Sequence, residues 1–157
     1  MSGEQIIKVG SLDFDTVKIV DMNGESKSYK VSDLLSFNEN NYEGAFTDQS
    51  ATYVYWAYVY SICKEQEESQ NNLLDKVHAE QYTVAFEELS GKGSRPTKDA
   101  IEALVVLSEP YQVQKEACID AKRLTMQLQY LVRGFEQRKD MLIQYGAEKR
   151  KLNSVGN

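Results

Sequence analysis

Few side chains in this chain are able to break bonds. His78 is the only histidine, and the sequence is expected to build no histidine-containing triad and no histidine-based metal site. Cys63 and Cys118 are the only cysteines. In a reducing cytosol two distant thiols read as free, buried, small apolar side chains rather than a disulfide. Glu65, Glu67 and Glu68 could be read as supplying a carboxylate pair for acid–base work. All their neighbours are polar, nothing predicts desolvation, and a solvated helix face is the simpler reading. The run Ser-Gly-Lys-Gly-Ser from Ser90 to Ser94 lacks both the spacing and the preceding strand of a phosphate-binding P-loop. The expectation is a protein that is not an enzyme and carries no metal or cofactor.

Binding chemistry is better represented. The formal net charge is −6, but it is unevenly spread. Residues 1 to 89 carry six lysines against sixteen acids, a net of −10; residues 90 to 157 carry twelve Lys/Arg against eight acids, a net of +4. Arg133, Arg138, Lys139, Lys149, Arg150 and Lys151 form a cationic set near the C-terminus, and Lys92, Arg95 and Lys98 a second one in the Gly-rich break. Repeated in an oligomer, such clusters would line a groove for a phosphate backbone. The aromatic run Thr52 to Cys63, TYVYWAYVYSIC, offers base-stacking surfaces but has Lys64 as its nearest cation. Packing or a subunit interface is favoured there, with Tyr55 and Tyr58 left open as stacking residues.

The elements that must position these groups are mainly helical. Asn23-Gly24 between two β-rich runs predicts a hairpin with a type I′ turn, strands Val17 to Met22 and Ser26 to Val31, and Ile6 to Val9 as a candidate third strand. A short helical turn follows from Ser32. FNENNYEGAFTDQS then reads as an irregular connector, and from a cap at Thr47 or Asp48 the chain is helix-compatible to Leu89. The break SGKGSRPT ends that helix. Thr97 caps a short apolar helix with Asp99 in its first turn, and Pro110 sits in the first turn of a last helix running to Tyr145, with Gly146 as its C-cap. The domain organisation read from this is 1–36 for the hairpin and turn, 37–48 for the connector, and 49–157 for a helical hairpin with a basic tail.

The last helix has the most regular pattern. Ala117, Ala121, Leu124, Leu128, Leu131, Phe135, Arg138, Leu142 and Tyr145 follow a four-three spacing, a coiled-coil signature. Both long helices come to about 55 to 60 Å at ~1.5 Å per residue, so an antiparallel hairpin is expected. If Leu89 faces Glu109, the stretch Lys64 to Asn72, which has no apolar residue, lies opposite residues 126 to 134. Leu128 and Leu131 then need cover from another chain or from the β-hairpin. On that reading Tyr53, Trp56, Tyr60, Leu124, Leu128, Leu131, Phe135 and Leu142 build a homo-oligomer. The longest apolar run is roughly half the ~20 residues a membrane span requires. MSGEQIIKVG has neither the basic start nor the apolar core of a secretory signal. A cytoplasmic protein is expected.

From Phe37 to Arg150 the chain resembles the UvsY-type recombination mediators of tailed phages. The likeness rests on the Asn-rich acidic lead-in FNENNYEGAF, the aromatic start with Tyr53 and Trp56, the Gly-rich basic break, the opening SEPYQVQKE, and above all LVRGFEQRKDMLIQYGAEKR. It implies a helical oligomer in the host-cell cytoplasm that binds single-stranded DNA and helps load a phage recombinase onto strands covered by single-strand-binding protein. The cationic residues at 133–151, with those at 92–98, would then contact the strand, Arg133 and Arg138 binding phosphate. The rival reading is an acidic phage accessory protein whose −10 half engages and modulates a host protein without touching DNA.

Overall fold

The computed structural model describes residues 15–21, 23–93 and 95–155. Their order is β1 (Thr16–Val20), β2 (Ser26–Lys30), α1 (Val31–Leu35), α2 (Tyr42–Ser90), α3 (Lys98–Leu107) and α4 (Glu109–Val155). The protein is mainly α, with two long helices and an N-terminal antiparallel hairpin. Candidate strand Ile6 to Val9 lies outside the described residues. Among the described residues no helix is long and apolar enough to cross a membrane. The chain divides into two compact units, residues up to Ala51 with those from Arg133 onward, and Thr52–Val132. Both long helices contribute to each unit.

In the first unit β1 and β2 pair with Val17 opposite Tyr29 and Ile19 opposite Lys27. The turn differs from the expected type I′, which needs positive φ at both central residues. Only Gly24 has it, at 82°. Asp21 instead organises a longer loop: its carboxylate accepts the N–H groups of Asn23 and Glu25, and its carbonyl accepts that of Gly24. A left-handed glycine at the end of the loop matches the right-handed twist of the strands. Asp15 then ties the hairpin to α1. Its carbonyl accepts the Val31 N–H and its carboxylate accepts the Ser32 N–H and Oγ–H at 2.8 and 3.0 Å.

α2 starts five residues before the expected cap because two asparagines close its entry. Asn38 Oδ1 accepts the N–H groups of Asn40 and Asn41, and Asn41 Oδ1 accepts that of Asn38 at 2.7 Å. Thr47 and Asp48 are therefore inside the helix. α4 likewise continues through Gly146 to Val155 instead of stopping at Tyr145. Gly146 is buried in mid-helix, where Tyr42 lies against it: a Cβ there would stand 3.2 Å from Tyr42 Cζ and closer still to its hydroxyl. α2 and α4 run antiparallel in this unit, as shown by Tyr42 against Tyr145, ring centroids 4.9 Å apart, and by Gln49 donating to the Phe135 carbonyl at 2.7 Å.

In the second unit α2 and α4 are again antiparallel. Gln114 Nε2 donates to the Gln70 carbonyl and Oε1 at 3.0 and 2.9 Å, Cys118 Sγ donates to the same carbonyl, and Thr125 Oγ1 donates to the Cys63 carbonyl. This register differs from the expected one by roughly ten residues, nearly three turns. α3 is the cause. It covers the end of α2 through the core of Ala85, Ile101 and Val105, with Tyr82, Leu89, Leu104 and Tyr111 around it. α4 therefore starts level with His78, whose ring lies 6.0 Å from that of Tyr111. Thr97 caps α3 as expected, its side chain accepting the Ala100 N–H.

The register change corrects the expected oligomer seam. Two turns from the Cys63–Thr125 contact, Trp56 comes level with Leu131. Trp56, Leu128 and Leu131 are buried within one chain, as are Phe135 and Leu142 in the first unit. Tyr53, Tyr60 and Leu124 are half-buried. Five of the eight residues expected to join subunits, Trp56, Leu128, Leu131, Phe135 and Leu142, are thus part of the chain's own core.

Candidate nucleic-acid interface

The cationic residues fall into three environments. Arg133, Lys139, Arg150 and Lys151 of α4 are exposed, as are Lys92, Arg95 and Lys98 around the link between α2 and α3. Some of these are paired: Lys139 Nζ is 3.5 Å from Asp140, and Lys92 bridges Glu88 one turn back at 3.3 Å. Surface pairs of this kind contribute little and are easily exchanged for another anion. Arg133, Arg150, Lys151, Arg95 and Lys98 have no carboxylate partner among the described residues. Lys149 is half-buried, its ammonium 6.0 Å above the Tyr42 ring.

Arg138 is a correction. The sequence makes it a phosphate contact, but it is only 9% exposed. It occupies a seam position of α4, so its guanidinium is carried inward, where Nη1 donates to Gln49 Oε1 and Nε has no partner among the described residues. Desolvation lowers its pKa, opposed by the attraction of Asp48. Gln49 thus links two elements of the first unit, donating to the Phe135 carbonyl while accepting from Arg138. Sequence reasoning missed Gln49. The signal was a polar residue one heptad before Trp56, the same spacing that carries Arg138 into the seam of α4.

On the surface of α4 the exposed cations form two lines. Arg133 and Lys151 are about five turns apart and share an edge; Lys139 and Arg150, about three turns apart, share another roughly 100° round. At ~1.5 Å per residue the set spans about 27 Å, so the charge is sparse along the helix. Nor is either unit basic as a whole. The first carries nine Lys/Arg against ten Asp/Glu among the described residues, and the second eight against twelve. The acidic and basic halves of the sequence are interleaved by the antiparallel helices, so the charge separation along the chain does not become one between the units.

Both cysteines are buried and free, and burial raises the pKa of Cys63. His78 Nε2 lies 2.9 Å from Glu102 and joins α2 to α3. Among the described residues no three His, Cys, Asp or Glu side chains gather as a metal site. Of the aromatic run, Tyr55 and Tyr58 are exposed and Trp56 is buried, which divides that stretch between surface and core. Fold and site together define a mainly α helical-hairpin protein with exposed cations on the surface of α4 and around the link between α2 and α3. No protein-family model, characterised protein or solved structure matches the chain.

Proposed function

We propose that this protein is a non-enzymatic recombination accessory factor of a phage, a homo-oligomer in the host cytoplasm that binds single-stranded DNA and assists recombinase loading on strands covered by single-strand-binding protein. The observation that carries the reading is that Arg133, Arg150 and Lys151 are exposed and have no carboxylate partner among the described residues, joined by the weakly paired Lys139. All four lie in or directly after the segment that carries the resemblance to UvsY-type mediators. A sparse set on one chain binds weakly. Copies brought together in an oligomer raise the effective concentration of phosphate contacts.

The test is binding to a fluorescent oligonucleotide, single-stranded against duplex, across a salt series, with mass from light scattering on the same sample. Preference for single strands by an oligomer, with affinity falling as salt rises, is the expected result. Arg133→Ala/Lys139→Ala/Arg150→Ala/Lys151→Ala should flatten the log–log salt slope by up to about 3, at ~0.7 per phosphate contact. No binding at low salt removes the reading.

The second reading, an accessory protein acting on a host protein, is favoured by the surface around α3. Val84, Phe86, Val106 and Leu107 are exposed there, and Glu87 and Glu88 belong to the same stretch of α2. Capture of one stoichiometric host protein by a chain that ignores free DNA would establish it in place of the first.

A further inference from the structure

The first unit contains an open cleft of about 440 Å³ that none of the cationic contacts uses. Its chemistry is mixed in a particular way. Phe37 and Tyr145 form an edge-to-face pair, centroids 6.0 Å apart, and Met141 adds a thioether that is 57% exposed. Around this apolar floor stand Asn38, Gln144 and Glu148. Asn38 uses its Oδ1 to accept the N–H groups of Asn40 and Asn41, which leaves its amide N–H groups to donate. Gln144 is exposed and brings both a donor and an acceptor. Glu148 brings an acceptor alone. One turn beyond Glu148 on α4 is Lys151, exposed and without a carboxylate partner among the described residues.

A flat ring with an apolar face and a hydrogen-bonding edge suits such a cleft, and the volume is at the small end of the range that small ligands occupy. We infer that the cleft takes one unstacked base of a single strand, its face on one ring of the edge-to-face Phe37–Tyr145 pair beside Met141 and its edge on Asn38, Gln144 and Glu148, with Lys151 at the adjoining phosphate. The inference rests on the single-strand reading above and supplies what the cations lack, a reason to prefer single strands. Duplex DNA keeps its bases stacked and paired, whereas a flexible strand presents them to aromatic side chains. Glu148 adds a preference among bases. It accepts from the exocyclic amino group of cytosine, adenine or guanine; thymine has none.

The test uses the full-length protein, two strands of equal length, one ordinary deoxyoligonucleotide and one abasic through its middle, and the variant Met141→Ala/Gln144→Ala at two exposed positions. The wild type should bind the ordinary strand about tenfold or more tightly than the abasic one at the same salt. The variant should keep only part of that preference, with the wild-type salt slope, because Met141 and Gln144 are removed while the aromatic pair and every phosphate contact remain. Equal binding of both strands by the wild type overturns the cleft and leaves the DNA reading standing. So does a variant that keeps the full preference for the ordinary strand, since the bases are then held elsewhere. If the wild type binds neither strand at low salt, the cleft and the DNA reading fall together.

Discussion

Replacing Gly146 by alanine tests the packing of the first unit at its closest point. In an exposed helix interior, glycine to alanine stabilises by about 1 kcal/mol. Gly146 is buried, and the new Cβ would stand 3.2 Å from Tyr42 Cζ and nearer to the hydroxyl. The ring has little room to withdraw. Tyr145 lies 4.9 Å away centroid to centroid, and Lys149 covers it with Nζ at 6.0 Å. Overpacking of this kind costs about 1–3 kcal/mol, so the clash should outweigh the helix gain and leave Gly146→Ala about 1 kcal/mol less stable than wild type.

Gly44, in the first turn of α2, is the internal control, because a Cβ there meets nothing within 4 Å. Gly44→Ala should therefore raise the thermal midpoint and Gly146→Ala lower it, each by about 2–4 °C, followed by far-UV circular dichroism. Tyr42→Phe removes the nearest atom and should recover part of the loss in the Gly146→Ala background, a coupling that a double-mutant cycle measures. If Gly146→Ala stabilises as Gly44→Ala does, or if Tyr42→Phe shows no coupling to it, Tyr42 does not lie against α4 as described.

Arg138→Ala should lower stability by about 1–3 kcal/mol, since it leaves buried Gln49 Oε1 without its donor. The salt slope of any DNA binding should be unchanged, and a slope that falls would return Arg138 to the surface set. Asp15 carries a pH prediction. The Ser32 N–H and then its hydroxyl hold the carboxyl below its ordinary pKa, so the tie between hairpin and α1 is fully present above the unfolded value of about 3.9 and is lost as pH falls through the lower folded one. The Ser32 amide resonance should report this as an inflection on the acid side of the exposed carboxylates. A midpoint shared with those carboxylates would contradict the hydrogen bonds.

What could be read from the sequence was local. The presence of two long helices, the Thr97 cap, the break at 90–97 and the β-hairpin all follow from side chains acting on their own neighbours. What failed depended on partners distant in sequence or on side chains that imitate backbone. The hairpin turn is set by the Asp21 carboxylate, which a search for Asn-Gly ignores. The start of α2 is set by Asn38 and Asn41, each common enough in loops to pass as connector. The register failed because α3, rather than α4, covers the last turns of α2, and nothing in the four-three spacing of α4 says where along α2 it begins. The same spacing marked Arg138 as a seam residue, and that assignment is what the burial bears out; the phosphate role came from its charge and from the family resemblance.

The layer formed by Gln70, Gln114 and Cys118 has a consequence for alignment. Apolar seams repeat every seven residues, and two helices held only by such seams slide by one heptad at little expense. Here a slip of one heptad would carry Gln114 away from the Gln70 carbonyl and Oε1 and set it level with Val77 or Cys63, its amide facing groups that cannot take both N–H bonds. A half-buried amide left unmatched costs about 1–3 kcal/mol. The two helices of the second unit are therefore keyed at a single notch, placed in the stretch of α2 that has no apolar residues and so could not have distinguished one heptad from the next.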